Sequence, residues 1–449
     1  MAEWINGVVL GRLIPLLLVG AGLFYGARLK FFHLLQPRAV LRGLLGGGKS
    51  RGESLRAVSL SLAGTLGVGN LVGVASAIRL GGAGAIFWMW ISALCAMILK
   101  YAEIVLAMRY RKWEGGEWHG SAMLYLQAFF RKKGYPVLGR LLGGLFAVLC
   151  LVNALTMGSM IQVHAVSEAM EGVAGIPSWV VGAVLALVTL LILHGGRTRL
   201  LQVSAKLVPF MTVGFLLLSA AALFLCRDRI PEVLRQIVTD ALSGQAAAGG
   251  VGGFLLGRSV RYGTMRGLLS NEAGCGTAPM AHGTADGADG VRQGLWGIFE
   301  VFADTILLCT ITALVILSAG IPLKGDAYMM ITVDAYVSHL GGFAAYFLTA
   351  AVLLFGFATV ICWGHYGREG VAYLTSSKGA LSLFHWIYAF AVLVGAVGSS
   401  RVIWQAADLA MGWMTAINVP VLCLMSKEVQ EATEAFLKTK RIKKEKGIT

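Results

Sequence analysis

An all-α integral membrane protein is the fold class this sequence predicts, on three observations. Its 449 residues are 57% hydrophobic and only 14% charged, with a mean hydropathy of +0.73, whereas a soluble domain carries nearer a quarter charged residues. The apolar residues fall into repeated stretches of about 20, the length that crosses roughly 30 Å of hydrocarbon as a helix. The basic residues collect in alternate connecting loops.

Taken in order, the apolar stretches lie near residues 8–26, 57–78, 85–107, 141–166, 178–194, 207–226, 251–282, 294–319, 343–366, 380–398 and 402–424, which predicts about eleven transmembrane helices. Barrel strands would be half as long and would alternate apolar with polar residues. The first stretch follows Met1, Ala2, Glu3 and Trp4. That start lacks the positive charge of a signal peptide, no small-residue cleavage site follows, and the stretch is expected to remain as a helix. The 7 cysteines are scattered with no close pair, unlike a secreted disulfide framework.

The net charge of +15 invites a nucleic-acid reading, but its distribution answers to a membrane. With the C-terminus in the cytoplasm, 27 of the 38 Lys and Arg lie on cytoplasmic segments and 6 on the opposite loops. That asymmetry predicts a multi-pass protein of the cell inner (plasma) membrane with the N-terminus external. The tail from Lys438 to Lys444 is the densest basic run and suits anionic lipid at the cytoplasmic face. No nucleic-acid partner is needed to explain the charge.

Residues Gly43 to Ser50 match the phosphate-cradling pattern G-x-x-x-x-G-K-S. A true P-loop joins a buried strand to a helix; this run sits in a short basic loop between membrane helices and reads as a linker. The sequence also lacks H-E-x-x-H and Cys-x-x-Cys, and no enzyme is predicted.

Two apolar segments are interrupted in a way that carries chemistry. Between Ser61 and Ile78 the chain places Gly64, Gly67, Gly69, Asn70 and Gly73 in what should be mid-helix. Each such glycine costs a helix about 1 kcal/mol relative to alanine, and bare backbone at bilayer depth is tolerated only against protein, a cavity or a ligand. The second interruption, Gly267 to Pro279, contains Ser270, Asn271, Glu272, Gly274 and Gly276 and lies five helices later. Paired interruptions at corresponding places are the sequence pointer to a transporter built of inverted repeats. The expected organisation is an N-terminal extra helix and basic loop (1–54), a first five-helix repeat (55–230), a second (231–425) and a basic tail (426–449).

The residues also carry a resemblance. The run from Gly64 through Asn70 to Ala75, the segment Gly81 to Trp90, Lys100 to Glu103, Ser270 to Pro279, Val291 to Gly294, and Asp304 with Thr305 resemble the alanine or glycine:cation symporter family. The match runs from about residue 15 to 425. It implies a leucine-transporter-like fold that imports a small neutral amino acid with sodium as coupling ion. In such a fold the substrate lies against Thr65, Gly67, Gly69 and Asn70 on one wall and Gly267, Ser270, Asn271 and Gly274 on the other. Gln162, in a segment similar to the family's G-N-x-x-Q-x-N, and Trp363, on the helix beside the substrate, complete the implied set. Gly69, Thr359 and Asp304 are the implied sodium ligands. Family members commonly read Phe-Ser-Thr where this chain has Phe357, Ala358 and Thr359. One hydroxyl is missing, which leaves proton coupling through Asp304 or Glu272 as an alternative and a facilitative channel as another. Lys100 and Glu103, three residues apart, are expected to pair with each other.

Overall fold

A computed structural model describes residues 13–45, 51–242, 257–323, 325, 327–398 and 400–445. Part of the phosphate-loop-like run, the beginnings of the first and seventh apolar stretches and the basic side chains beyond Lys438 lie outside what is described.

The described chain is almost entirely helical. It runs α1 (Ile14–Arg28), α2 (Pro37–Leu45), α3 (Arg51–Thr65), α4 (Val72–Gly81), α5 (Gly84–Tyr110), a hairpin of β1 (Lys112–Glu114) and β2 (Glu117–His119), and α6 (Ala122–Lys132). It continues with α7 (Pro136–Leu155), α8 (Ile161–Ala174), α9 (Ser178–His194), α10 (Gly196–Leu225), α11 (Ile230–Leu242), α12 (Arg258–Asn271) and α13 (Ala278–His282). It ends with α14 (Gly290–Val301), α15 (Thr310–Ala319), α16 (Tyr328–Leu340), α17 (Phe343–Leu374), α18 (Lys378–Val397), α19 (Ser400–Leu424) and α20 (Ser426–Glu445).

Among the described residues seven helical segments are long and apolar enough to cross a membrane, and α3 with Val68–Gly81 makes an eighth if that bent pair is one span. Helices α1 and α9 are apolar but shorter. The outer surface fits a lipid solvent: Phe210, Leu217 and Phe224 on α10 and Trp386 and Phe390 on α18 are exposed, a display that water would penalise.

Four departures from straight helix shape the interior. The first glycine-rich segment breaks after Thr65, passes through Leu66 and Gly67 into a tight turn at Val68–Asn70, and resumes as α4 at an angle of 53°. Helices α7 and α8 are one long span widened into a π-helical turn at Thr156–Met160, and α14 and α15 are joined by another at Phe302–Cys309. Such turns bulge the backbone toward a neighbour. The second glycine-rich segment breaks at Glu272–Thr277, where Gly274 and Gly276 take φ of +85° and +78°, a left-handed geometry that glycine adopts without a Cβ clash. Helix α5 packs against α12, α14 and α1, and α17 against α7, α8 and α10. Both breaks are thereby enclosed.

The loops predicted to be cytoplasmic gather on one face. Glu117 of the hairpin lies 3.3 Å from Arg197 and 3.2 Å from Arg368, and Arg109 lies 3.2 Å from Glu428 on α20. The hairpin pairs Lys112 with His119, Trp113 with Trp118 and Glu114 with Glu117, and it turns on Gly115 and Gly116, both at positive φ.

Candidate functional site

The first break borders a cavity of about 10 Å³ lined by Gly64, Thr65, Gly67, Gly69, Met157, Ile161, Gln162, Leu269 and Trp404. This volume suits a single water and is too small for an amino acid. An amino acid would fit there only if these walls parted.

Gly67 is where the break is most tightly gripped. A Cβ built there would sit 2.5 Å from Thr359 Oγ1 and 2.8 Å from Gln162 Oε1, so only glycine allows both side chains to approach. Gln162 spans the opening: its Oε1 accepts from the Val68 amide at 3.1 Å, and its Nε2 donates to the Met157 carbonyl at 3.0 Å within the π-helical turn. The turn therefore has a purpose legible in its geometry, since it presents a carbonyl to Gln162 and brings Gly158 against Trp363, where a Cβ would lie 2.2 Å from the Trp363 Cβ.

Thr359 donates within bonding range of two carbonyls, Ala63 at 2.9 Å and Phe355 at 3.1 Å. Three oxygens thus converge between α3 and α17, beside Gly67. Hard cations take oxygen ligands of this kind. The methyl of Ala358, buried on the same helix, adds no oxygen to the set.

Of the sequence-derived residues, Thr65, Gly67, Gly69 and Gln162 line the cavity. Asn70, Ser270 and Asn271 do not; they join a separate polar cluster around Asp304. Asn70 Nδ2 donates to Asp304 Oδ1 at 2.8 Å, and the hydroxyls of Ser270 and Thr305 donate to Oδ2 at 2.6 and 2.8 Å. Asn271 Nδ2 donates to the Thr305 hydroxyl at 3.2 Å. Asp304 and Thr359 therefore lie in different clusters that share no hydrogen-bond partner. Gly267 packs on Ser92, Gly274 against Leu18 of α1, and Trp363 donates from its indole nitrogen to Glu272 at 2.9 Å.

Lys100 and Glu103 do not pair with each other. Lys100 lies 3.1 Å from Glu300 and donates to the Asn271 carbonyl at 3.1 Å, while Glu103 accepts from the Gly276 amide at 2.9 Å and from Asn418. A helix-surface rule of three-residue spacing yields here to the second break, which offers an orphan carbonyl and an orphan amide to these two side chains. Arg266 pairs at 3.6 Å with Asp408 and stacks 4.5 Å above Trp404. Trp404, Met157, Ile161 and Leu269 were not foreseen as cavity residues. Apolar lining of this sort has no sequence signature distinct from packing.

The sequence model of the sodium:alanine symporter family matches residues 1–449. The chain belongs to that family. It is 33% identical to the sodium/alanine symporter AgcS of Methanococcus maripaludis, over 97% of this chain and 96% of that one. It is 32% identical to the probable sodium/glutamine symporter GlnT of Bacillus subtilis, over 98% and 91%. Among solved structures it resembles the manganese transporter of Eremococcus coleocola, with a TM-score of 0.51 at 15% identity, covering 85% of this chain and 81% of that one; the likeness concerns the fold alone. As a member of a symporter family the protein is a multi-pass membrane transporter rather than a member of an enzyme family.

Proposed function

We propose that this symporter imports a small neutral amino acid, alanine or glycine, together with sodium. The observation that carries the reading is the sharing of Gly67. On one side of it stand the Val68 amide and Gln162, suited to a carboxylate at the exposed start of a helix; on the other stand the oxygens of Ala63, Phe355 and Thr359, suited to a cation. The cavity walls Met157, Ile161, Leu269 and Trp404 leave space for a methyl-sized side chain once the site opens. Binding residues in this reading are Thr65, Gly67, Gly69 and Gln162 directly, with Asn70, Ser270, Asn271, Gly267, Gly274 and Trp363 shaping the two breaks. Sodium takes the carbonyls at the first break and Thr359, with Gly69 and Asp304 acting on the same break from the opposite side.

The transporter lies in the inner membrane with its basic face and C-terminus in the cytoplasm, where Lys and Arg meet anionic lipid. Its two broken segments open two five-helix repeats after an extra first helix. Coupling to protons through Asp304 or Glu272 is the second reading, favoured by the complete burial of both carboxyl groups.

The test is uptake of labelled alanine into proteoliposomes. Accumulation above the external concentration under an inward sodium gradient is expected. Uptake driven by a pH gradient in sodium-free buffer would instead support proton coupling, and equilibration without accumulation would indicate a channel.

A further inference from the structure

The most completely buried ionic cluster lies away from the cavity and is used by none of the chemistry above. Lys100 on α5, Glu300 on α14 and His282 at the end of α13 are all inaccessible. Glu300 Oε2 accepts from the Ser61 hydroxyl of α3 at 2.8 Å and lies 3.1 Å from Lys100 Nζ. Its Oε1 faces His282 Nε2 at 2.9 Å, a close ionic contact whose alignment falls short of a hydrogen bond. One carboxylate thus ties α3, the first half of the first broken helix, to α13, the last part of the second.

The other side of the imidazole is what distinguishes this cluster from a static ion pair. His282 Nδ1 stands 2.9 Å from Gln293 Nε2, while Gln293 Oε1 is buried with no partner. With the amide in this orientation, Nδ1 accepts and the neutral ring carries its proton on Nε2, toward Glu300. A second proton on Nδ1 needs an acceptor. A half-turn of the Gln293 amide supplies one, because it exchanges Nε2 for the unused Oε1. The pair therefore satisfies the ring in both protonation states with no other rearrangement.

The ionisable groups on the elements around α13 set the charge balance. They are Lys100 and Glu103 on α5, Glu300 on α14, Cys362, His365 and Tyr366 on α17, and Glu272 in the break, with Asp304 beyond Lys100. Helix α3 adds the hydroxyl of Ser61; its own charged residues, Arg51, Glu53 and Arg56, lie at its far end. Past α13, Arg111 donates to the carbonyls of Gly283 and Ala285, and Arg197 to that of Thr284. At the cluster itself one carboxylate, Glu300, faces both Lys100 and His282, and the further carboxyl groups of Glu103, Glu272 and Asp304 lie around it.

We propose that His282 is a proton-binding site, held between Glu300 and Gln293, whose occupancy sets how firmly the two broken helices are tied together beneath the cavity. Protonation adds Nδ1–H donating to Gln293 Oε1 and turns the contact with Glu300 into an ion pair, which a low-dielectric interior strengthens. Glu300 on α14 holds Ser61 on α3 and His282 on α13, so any opening between these helices toward the basic face breaks those contacts. The bound proton opposes that opening.

The proposal rests on the transporter reading only for its transport assay. In proteoliposomes, sodium-driven alanine uptake by the wild type is expected to slow at least threefold as pH at the basic face falls through the range where histidine ordinarily titrates, about 5 to 8, with the maximal rate affected more than KM. His282→Gln, which keeps a donor toward Glu300 but cannot gain a proton, is expected to be flat over that range. Gln293→Glu should move the midpoint to higher pH and Gln293→Met to lower pH, a paired response that loss of packing would not give. Independently of transport, NMR of ring-labelled histidine in the full-length protein, with His282 assigned by its disappearance in His282→Gln, should show its ring titrating with midpoints displaced in the same two directions. An unaltered pH profile in His282→Gln, or a ring that does not titrate, would overturn the proposal. Absence of alanine uptake with a titrating ring would count against the substrate reading alone.

Discussion

Replacing Gly67 by alanine tests the centre of the site with a single methyl group. The backbone at Gly67, φ −108° and ψ −161°, is open to any residue, so the substitution introduces no conformational strain. Its Cβ would, however, lie 2.5 Å from Thr359 Oγ1 and 2.8 Å from Gln162 Oε1, and neither contact is sustainable. Thr359 sits on a packed helix and cannot withdraw freely, so its hydroxyl must rotate away from Ala63, or α3 and α17 must separate. Overpacking of this kind costs about 1–3 kcal/mol, whereas the Gln162 bond to the Val68 amide is broken by loading itself and adds nothing to the cost of the loaded site. If most of that falls on the loaded site, the sodium concentration for half-maximal uptake should rise by roughly 10- to 100-fold, at about 1.4 kcal/mol per tenfold. Gly73→Ala on α4 is the internal control: its Cβ meets nothing within 4 Å, and its sodium dependence should stay within about twofold. Labelled alanine uptake against sodium, with both variants quantified in the liposomes, reads the difference. Equal behaviour of the two variants would refute the assignment of Gly67 as the point where cation and substrate walls meet.

Ala358→Ser restores the hydroxyl that the family commonly carries and should lower the sodium requirement, whereas Thr359→Ala should raise it sharply or stop uptake; sodium titrations of both variants check this. Trp404→Ala removes the largest wall of the cavity and should admit larger neutral amino acids, measured as inhibition of alanine uptake by leucine or glutamine. On the basic face, the hydrogen bond of His119 to the Glu369 carboxylate, 2.9 Å away, raises the histidine pKa against the opposing effect of burial. The stability this contributes is full below the unfolded value of about 6.5 and is lost as pH rises through the elevated folded value. The melting temperature in detergent should therefore fall across that interval, and less so in His119→Gln.

The helical membrane class and the two breaks were legible because hydropathy and glycine clustering report on the bilayer directly, whereas the count was not: about eleven spans were expected, and among the described residues seven, or eight with the bent pair, are long and apolar enough. The first break appears where Gly64, Gly67 and Gly69 predicted it, and the second where Gly274 and Gly276 did. What the side chains do there was less legible. Asn70 and Ser270 sit within sequences that suggest a ligand wall, yet both turn to Asp304, because a buried carboxylate competes for every nearby donor. Lys100 and Glu103 illustrate the same limit: spacing along one helix says which residues share a face, while the choice of partner depends on what the break opposite leaves unsatisfied. The π-helical turns have no compositional signal, and with them went the reason Gln162 reaches Val68.

The two breaks differ in how they are held, and that difference bears on coupling. The second is fixed from within and behind, by glycines with positive φ, by Asn418 accepted at the Gly274 carbonyl, and by Glu272 bound to Trp363 and Thr277. The first is held by borrowed groups, Gln162 at the Val68 amide and Thr359 at the Ala63 carbonyl, which are the groups the proposed ligands need. An incoming carboxylate must displace Gln162 from Val68, and a cation must turn the Thr359 hydroxyl so that its lone pair faces inward. Because both side chains close on Gly67, movement of either one relieves the space that the other requires. The first ligand bound thus meets part of the cost of admitting the second. Coupling free energy between two sites is reciprocal, so sodium should raise the apparent affinity for alanine by the same factor as alanine raises that for sodium. An equilibrium affinity for alanine that was the same with and without sodium would mean that the two ligands do not use a shared break.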